Sequence, residues 1–203
     1  MPELGIHFSA ALLWRMLGCF LIGSIPFAVL AMQGTGIDIR KAGSGNPGFN
    51  NVLRYNKGRA VLTLMGDLGK GLAAIWIFLQ PGQAMAVGWL FGLAAILGHC
   101  YSPFLKFNGG KGIATSAGVM LYLYPVLAMA SLAVFSVLRV AGGKRRWIEA
   151  GAIASLATYA LFVLLLLLWE GTEMALFGVI LLAFVAWRHR SNFRILLGSG
   201  QAR

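Results

Sequence analysis

Acidic residues are scarce in this 203-residue chain, six Asp and Glu in all against 17 Lys and Arg. Charged side chains of both signs reach only 11%, where a water-soluble domain carries about 25%, so the chain has too little charge to clothe a surface facing water on every side. There are two cysteines, Cys19 and Cys100, each in or beside an apolar stretch, which excludes a secreted scaffold held by disulfides. Three scattered histidines without clustered Cys, Asp or Glu make a poor ligand set, so no metal and no cofactor is expected. No internal repeat and no low-complexity linker is visible, which excludes a solenoid and a disordered chain. The start lacks the basic region of a cleaved signal and its apolar run is too long for one, so it reads as a retained first helix.

What is abundant is apolar sequence. Hydrophobic residues make up 59% of the chain and gather in blocks, residues 161–169 reading LFVLLLLLW, which marks lipid as the partner of those faces. The fold class expected is all-α, a polytopic membrane protein forming a single domain over residues 1–203. Candidate spans are 10–32, 60–79, 85–103, 113–138, 150–169 and 174–187. The 27 glycines suit close helix contacts and special loops.

Basic residues set the orientation. Arg40, Lys41, Arg54, Lys57 and Arg59 follow the first span, and Lys106 and Lys111 follow the third. Arg139, Lys144, Arg145 and Arg146 follow the fourth, while Arg188, Arg190, Arg194 and Arg203 close the chain. The connections at 80–84 and 170–173 carry no basic residue, so all four basic segments are expected on the cytoplasmic side. Residues 113–138 then have to cross and return, with the break at Tyr124-Pro125, because proline disfavours helix in the residue before it. The expectation is seven transmembrane helices, one pair short or re-entrant, with the N-terminus outside and the C-terminus cytoplasmic. The final span would run on through Arg188 as a snorkelling interfacial turn.

The residues that carry chemistry lie in the basic segments. Residues 38–54 contain a literal GxGxxG at Gly43, Gly45 and Gly48, but no βαβ unit surrounds it, so a dinucleotide reading fails. A backbone nest is one reading: glycines let N–H groups converge on an anion, Ser44, Asn46, Asn50 and Asn51 add uncharged donors, and Arg54 offers a bidentate contact to a phosphate. A polar cytoplasmic turn with Asn caps fits this loop equally well. The second loop tips the balance, since Asn108-Gly-Gly-Lys-Gly112 offers another cradle where the next helix starts, running on to Thr115. Gly112 stands where a Walker A motif needs Ser or Thr to hold magnesium, which excludes an NTPase. Two anion cradles on one face point to two phosphates; the alternative is a Gly-rich loop whose Lys binds lipid headgroups.

In the tail, His189 and Asn192 would share a face on a helical continuation, although an ordinary basic interfacial end explains that segment by itself. Asp67 and Lys70 sit three apart inside the apolar second span, where ionisable side chains are costly and either pair or serve a site. Pairing is the main expectation, with support of the first loop as a second role. Arg15 is expected to snorkel to the outer interface.

Together these segments resemble the PlsY family, bacterial integral membrane acyltransferases that move a fatty acyl group from acyl phosphate to glycerol 3-phosphate. The likeness runs nearly end to end, through Gly23-Ser-Ile-Pro26, Asp38-Ile-Arg40, Gly43-Ser-Gly-Asn-Pro-Gly48, Asn51 with Arg54, Asp67-Leu-Gly-Lys-Gly71, Gly98-His99, Pro103-Phe-Leu-Lys-Phe107 and Gly109-Gly-Lys-Gly-Ile-Ala-Thr115. It implies a seven-helix fold with three cytoplasmic motifs. The catalytic set it implies is Ser44, Arg54, His99, Lys111, His189 and Asn192. Substrate binding falls to Gly43, Gly45, Asn46, Asn50, Asn51, Gly109, Gly110, Gly112 and Thr115, with Asp67 and Lys70 in support; Asn50 stands where the family usually has Thr. The tail departs from the family pattern His-x-x-Asn-Ile-x-Arg-Leu ending Gly-x-Glu: this chain has Phe193 and Ile195, is one residue short before Gly198, and has Gly200 where Glu would fall.

The activity so implied is acyl transfer from acyl phosphate to the sn-1 hydroxyl of glycerol 3-phosphate, giving lysophosphatidic acid and phosphate, at the bacterial cytoplasmic membrane with the site facing the cytoplasm. Acyl phosphate is an activated mixed anhydride, so the protein has to supply proximity, charge neutralisation and a stabilised oxyanion rather than a covalent nucleophile. No Ser–His–Asp constellation can be assembled from the sequence. The hydroxyl proton is expected to pass to the donor's own phosphate oxygen, with His99 or His189 as alternatives. The acyl chain would lie in a groove between helices. Membrane lipid is a partner, the family's pathway adds a soluble acyl phosphate synthase, and no nucleic acid is expected. Two other readings are a transporter or flippase for a phosphorylated metabolite, which would need polar residues deep in several helices and a repeat, and a divergent member with reduced activity.

Overall fold

A computed structural model describes residues 5–145 and 149–198; Arg146, Gly200 and Arg203 of the sequence reading lie outside the described residues. The apolar runs become helices because a helix satisfies its own backbone polar groups where no water can. The chain divides into two compact units, Met1–Leu123 and Tyr124–Arg203.

In the first unit, α1 (Ala10–Gly23) starts at Ser9, whose side chain accepts from the Leu12 N–H, and ends at Ser24. Pro26 has no N–H to continue the ladder, and the short α2 (Phe27–Ala31) begins after it. The expected first span is therefore interrupted, a break that gives the site one of its walls. A short α3 (Phe49–Val52) closes the following loop, and α4 (Lys57–Phe78) begins at Asn56, which caps the Arg59 N–H. The chain continues with α5 (Met85–Cys100), a 3-10 turn at Pro103–Leu105, and α6 (Ile113–Leu123). Of the three long spans here Met85–Leu105, which contains α5, has the largest share of buried residues, ahead of Ala10–Ala31 and Lys57–Phe78.

Glycines let these helices approach backbone to backbone. A Cβ on Gly23 would fall 2.0 Å from the Ala95 carbonyl oxygen, and one on Gly98 would fall 2.0 Å from that of Phe20, so α1 and α5 touch at two points. Gly71 and Gly118 do the same for α4 and α6, each 2.1 Å from an opposing carbonyl oxygen, Thr115 and Leu68 respectively. Two arginines close helix ends, where carbonyls lack partners and the dipole favours a cation. The Arg59 guanidinium donates to Ala31 O (2.5 Å) and Gln33 O (2.8 Å). Arg15, expected at the outer interface, donates to Phe78 O and to Gln83 Oε1 and lies 5.0 Å from the Phe91 ring.

The second unit packs α7 (Pro125–Lys144) on α8 (Ala150–Trp169), and α8 on α9 (Thr172–Arg188), which is followed by α10 (Arg190–Leu196). The break falls at Tyr124, as the following proline requires. Of the pair expected to be short only α6 is, with 11 residues. Its successor α7 reaches 20 residues and draws Arg139 and Lys144 into its last turns, where a cation suits the helix end. Nor does the last span run straight on: α9 and α10 meet at 60°. His189 sits at the bend, so Asn192 follows it around a corner. Among the described residues five spans are long and apolar enough to cross a membrane, six with the bent pair.

Candidate active site

The first loop is built around Asn51. Its Nδ2 donates to Ile39 O (3.1 Å) and Ala42 O (3.0 Å), and its Oδ1 accepts from the Ser44 N–H (3.0 Å). Gly43, at φ +60°, lets the chain fold over that amide; a Cβ there would lie 2.3 Å from Asn51 Oδ1. Val52, Ile39, Met32, Ala28 and Ala60 form an apolar floor. A surface pair flanks the loop: Arg40 donates through Nε (2.8 Å) and Nη2 (2.9 Å) to the Asp38 carboxylate. These side-chain bonds, with one from the Arg40 N–H, hold the Asp38 carboxyl down to about 2, so it stays ionised at neutral pH.

This wiring revises the nest. The Ser44 N–H goes to Asn51, and the Gly45 N–H goes to Ala42 O at 3.0 Å, so neither is presented to an anion. The loop instead holds out side chains: Ser44, Asn50 and Arg54 are exposed and Asn46 is half-buried, whereas Asn51, expected to touch substrate, is buried as the organiser.

The second loop is a clamp rather than a flexible cradle. The Gly109 N–H donates to Cys100 O (3.1 Å) and the Gly110 N–H to His99 O (3.2 Å), folding the loop back onto the end of α5. Both glycines are needed for close approach, since a Cβ on Gly109 would lie 2.0 Å from His99 O and one on Gly110 would lie 2.2 Å from His99 Nε2. Lys111 leaves this clamp half-buried. Thr115, expected at the substrate, is instead fully buried where α6 crosses Gly71 of α4.

Behind the loops lies a buried charge cluster. Lys70 Nζ is 2.8 Å from Asp67 Oδ1, with both side chains 4% exposed or less. The same ammonium donates to Ile25 O (2.9 Å) at the α1 break. His99 Nδ1 lies 3.5 Å from Asp67 Oδ1, within ion-pair reach but long for a hydrogen bond. The hydroxyl of Ser102 donates to Ser24 O (2.6 Å), tying the second loop to the same break. Pairing of Asp67 with Lys70 is thus as expected, while the approach of His99 is new. Ser24, Pro26, Asp67, Lys70, His99 and Gly110 line a cavity of about 10 Å³, which Pro47 of the first loop also borders. That is room for about one water, far less than a phosphate needs.

In the second unit, His189 is buried and its Nδ1 contacts Val185 O (2.9 Å). A carbonyl only accepts, so Nδ1 carries the hydrogen of this contact. Asn192 Nδ2 donates to Glu149 Oε2. Glu149 escaped the sequence reading; the signal was a single acid beside a run of basic residues. Among the described residues no His, Cys, Asp or Glu cluster could hold a metal ion.

Comparison with known proteins covers nearly the whole chain. The family model described as glycerol-3-phosphate acyltransferase matches residues 13–199. The chain is 40% identical over 210 residues to a glycerol-3-phosphate acyltransferase of Bordetella petrii, covering 98% of this chain and 94% of that protein. It is 41% identical over 184 residues to one of Pseudomonas paraeruginosa, at 87% and 91% coverage. Among solved structures, it is similar to PlsY, an integral membrane glycerol 3-phosphate acyltransferase, in the glycerol 3-phosphate form, with a TM-score of 0.80 and 30% identity over 96% of each chain. The lysophosphatidic acid form matches with a TM-score of 0.80 and 29% identity over 95% of each.

Proposed function

The chain belongs to the glycerol-3-phosphate acyltransferase family, and from that premise we propose that it transfers a fatty acyl group from acyl phosphate to the sn-1 hydroxyl of glycerol 3-phosphate. The observation that carries the reading is the arrangement of the two loops, one held by the Asn51 side chain and the other by carbonyls at the end of α5, and both presenting side chains suited to phosphate. Ser44, Asn46 and Arg54 come from one, and Lys111 comes from the other. Because the loops are held by Asn51 and by the clamp on α5, these groups are preorganised, which is where rate enhancement by positioning and charge originates.

In the reaction the sn-1 oxygen adds to the acyl carbonyl carbon, the tetrahedral oxyanion collapses, and the carbon–oxygen bond to phosphate breaks. The hydroxyl proton ends on the departing inorganic phosphate. Two anionic substrates have to share the site, so the cations Arg54 and Lys111 offset their repulsion. Family resemblance assigns a catalytic role to His189 and Asn192 as well. The site faces the cytoplasm at the bacterial inner membrane, where a soluble acyl phosphate synthase would deliver the donor. The chain forms one functional domain.

The test is purified protein in detergent with acyl phosphate and glycerol 3-phosphate, assayed for lysophosphatidic acid. Turnover is expected with acyl phosphate and is expected to fall about 10- to 100-fold in Lys111→Ala, the loss of one charge-assisted contact. Product formed from an acyl thioester and none from acyl phosphate would overturn the donor, and no product from either would overturn the enzyme.

A further inference from the structure

We propose that Asp67, Lys70 and His99 are positioning residues, a buried relay that ties the break in α1 to the Gly110–Lys111 turn, and that His99 acts through Gly110 rather than on the reacting atoms. The inference rests on the acyltransferase reading above and goes further by reassigning His99.

The relay begins where α1 stops. The carbonyls of Ser24 and Ile25 face inward at the break, and they draw the Ser102 hydroxyl at 2.6 Å and the Lys70 ammonium at 2.9 Å. An ammonium buried to this degree needs a counter-charge, which Asp67 supplies at 2.8 Å on the same helix. The Asp67 oxygen that meets Lys70 also faces His99 Nδ1. From His99 the link passes to the second loop twice, through its carbonyl to the Gly110 N–H and through the Nε2 edge of its ring, which packs on Gly110 where a Cβ would come within 2.2 Å. Lys111 is the next residue.

Both ring nitrogens of His99 are therefore turned to the interior, Nδ1 toward Asp67 and Nε2 toward Gly110. The ring borders a cavity of about 10 Å³, and the residue is 7% exposed. A general base has to reach the proton it removes, directly or through one water, and the one-water cavity at this ring is bordered by Asp67, Lys70 and Gly110 and not by Ser44, Arg54 or Lys111, the side chains held out to substrate. This ring sits behind the loop that presents Lys111, so its leverage is on where Lys111 stands.

A double-mutant cycle separates positioning from chemistry. His99→Ala is expected to lower kcat/KM about tenfold or more, chiefly through KM for one of the two phosphate substrates, leaving the other KM within about twofold. His99→Asn, whose amide can face Asp67 as Nδ1 does, is expected to recover most of that loss. Gly110→Ala forces a methyl into the ring and is expected to be impaired. The pair His99→Ala with Gly110→Ala, which makes room for the methyl, is expected to be no worse than Gly110→Ala alone. Multiplicative losses in the double variant, or a His99→Asn enzyme as inactive as His99→Ala with both KM values unchanged, would overturn the relay. Wild-type turnover is the internal control, since its absence overturns the acyltransferase reading, and active wild type with a multiplicative cycle overturns the relay alone. Should the alanine variants fail to fold, His99→Asn is compared with wild type: turnover near that of wild type supports the relay, and a folded His99→Asn enzyme that loses kcat with both KM values unchanged overturns it.

Discussion

Asn51 makes three hydrogen bonds inside the first loop, two as donor and one as acceptor, and is 2% exposed. Replacing it with Asp keeps the acceptor for Ser44 but turns a carboxylate oxygen toward the carbonyls of Ile39 and Ala42, which have no hydrogen to offer. Asn51→Asp is expected to cost about 2–4 kcal/mol of stability, from two lost bonds and a poorly solvated charge. It should also raise KM through displaced Ser44; a detergent melting curve and the KM measured together check it, and an unchanged melting temperature would remove Asn51 as the organiser. At this scale the sequence offered the residue types but not their assignments. Ser44, Asn50 and Asn51 all read as donors near glycine, and nothing local separates the amide that faces inward from the groups that face out. Asp67 and Lys70 were legible as a pair because their spacing places them on one helix face. His99 was not legible as their neighbour, because it reaches Asp67 from another helix.

Between elements, the glycines at crossings carry the packing. Gly71 and Gly118 bring α4 and α6 so close that any side chain there meets a carbonyl oxygen. Gly71→Ala is therefore expected to destabilise by about 1–3 kcal/mol, the usual range for overpacking, and Gly71→Leu is expected to prevent accumulation of folded protein. Gly69, on the same helix with nothing within 4 Å of an added Cβ, is the control; equal melting of Gly69→Ala and Gly71→Ala in the same detergent would refute the close contact. Sequence showed abundant glycine in apolar runs, and the crossings were its stated use. Which glycine faces which helix is a matter of rotation, and no hydrophobic period records it when all faces are apolar. The same uniformity hid the extent of α7, whose basic last turns looked like a loop, and the bend at His189.

Over the whole molecule, charge asymmetry is the strongest signal. The charge rule puts the four basic segments on the cytoplasmic side, so single cysteines in place of Lys41, Lys106 and Arg190 are expected to react with an impermeant maleimide only when the inner face is exposed. Cysteines in place of Gln80 and Glu170 should react from outside. Labelling of Gln80 and Lys106 positions from the same side would break this topology.

Composition and patterning by themselves determined that the chain is a helical membrane protein and where proline divides residues 113–138, since these follow from local backbone chemistry and from the cost of charge in lipid. The motifs sufficed for the family. Tertiary structure alone decided that the loops close on themselves, that Asn51 and Thr115 face inward, and that His99 joins Asp67 and Lys70 behind the Gly110 turn. Those outcomes depend on contacts between residues far apart in the chain, where packing and hydrogen-bond satisfaction choose among side chains that local sequence leaves equivalent.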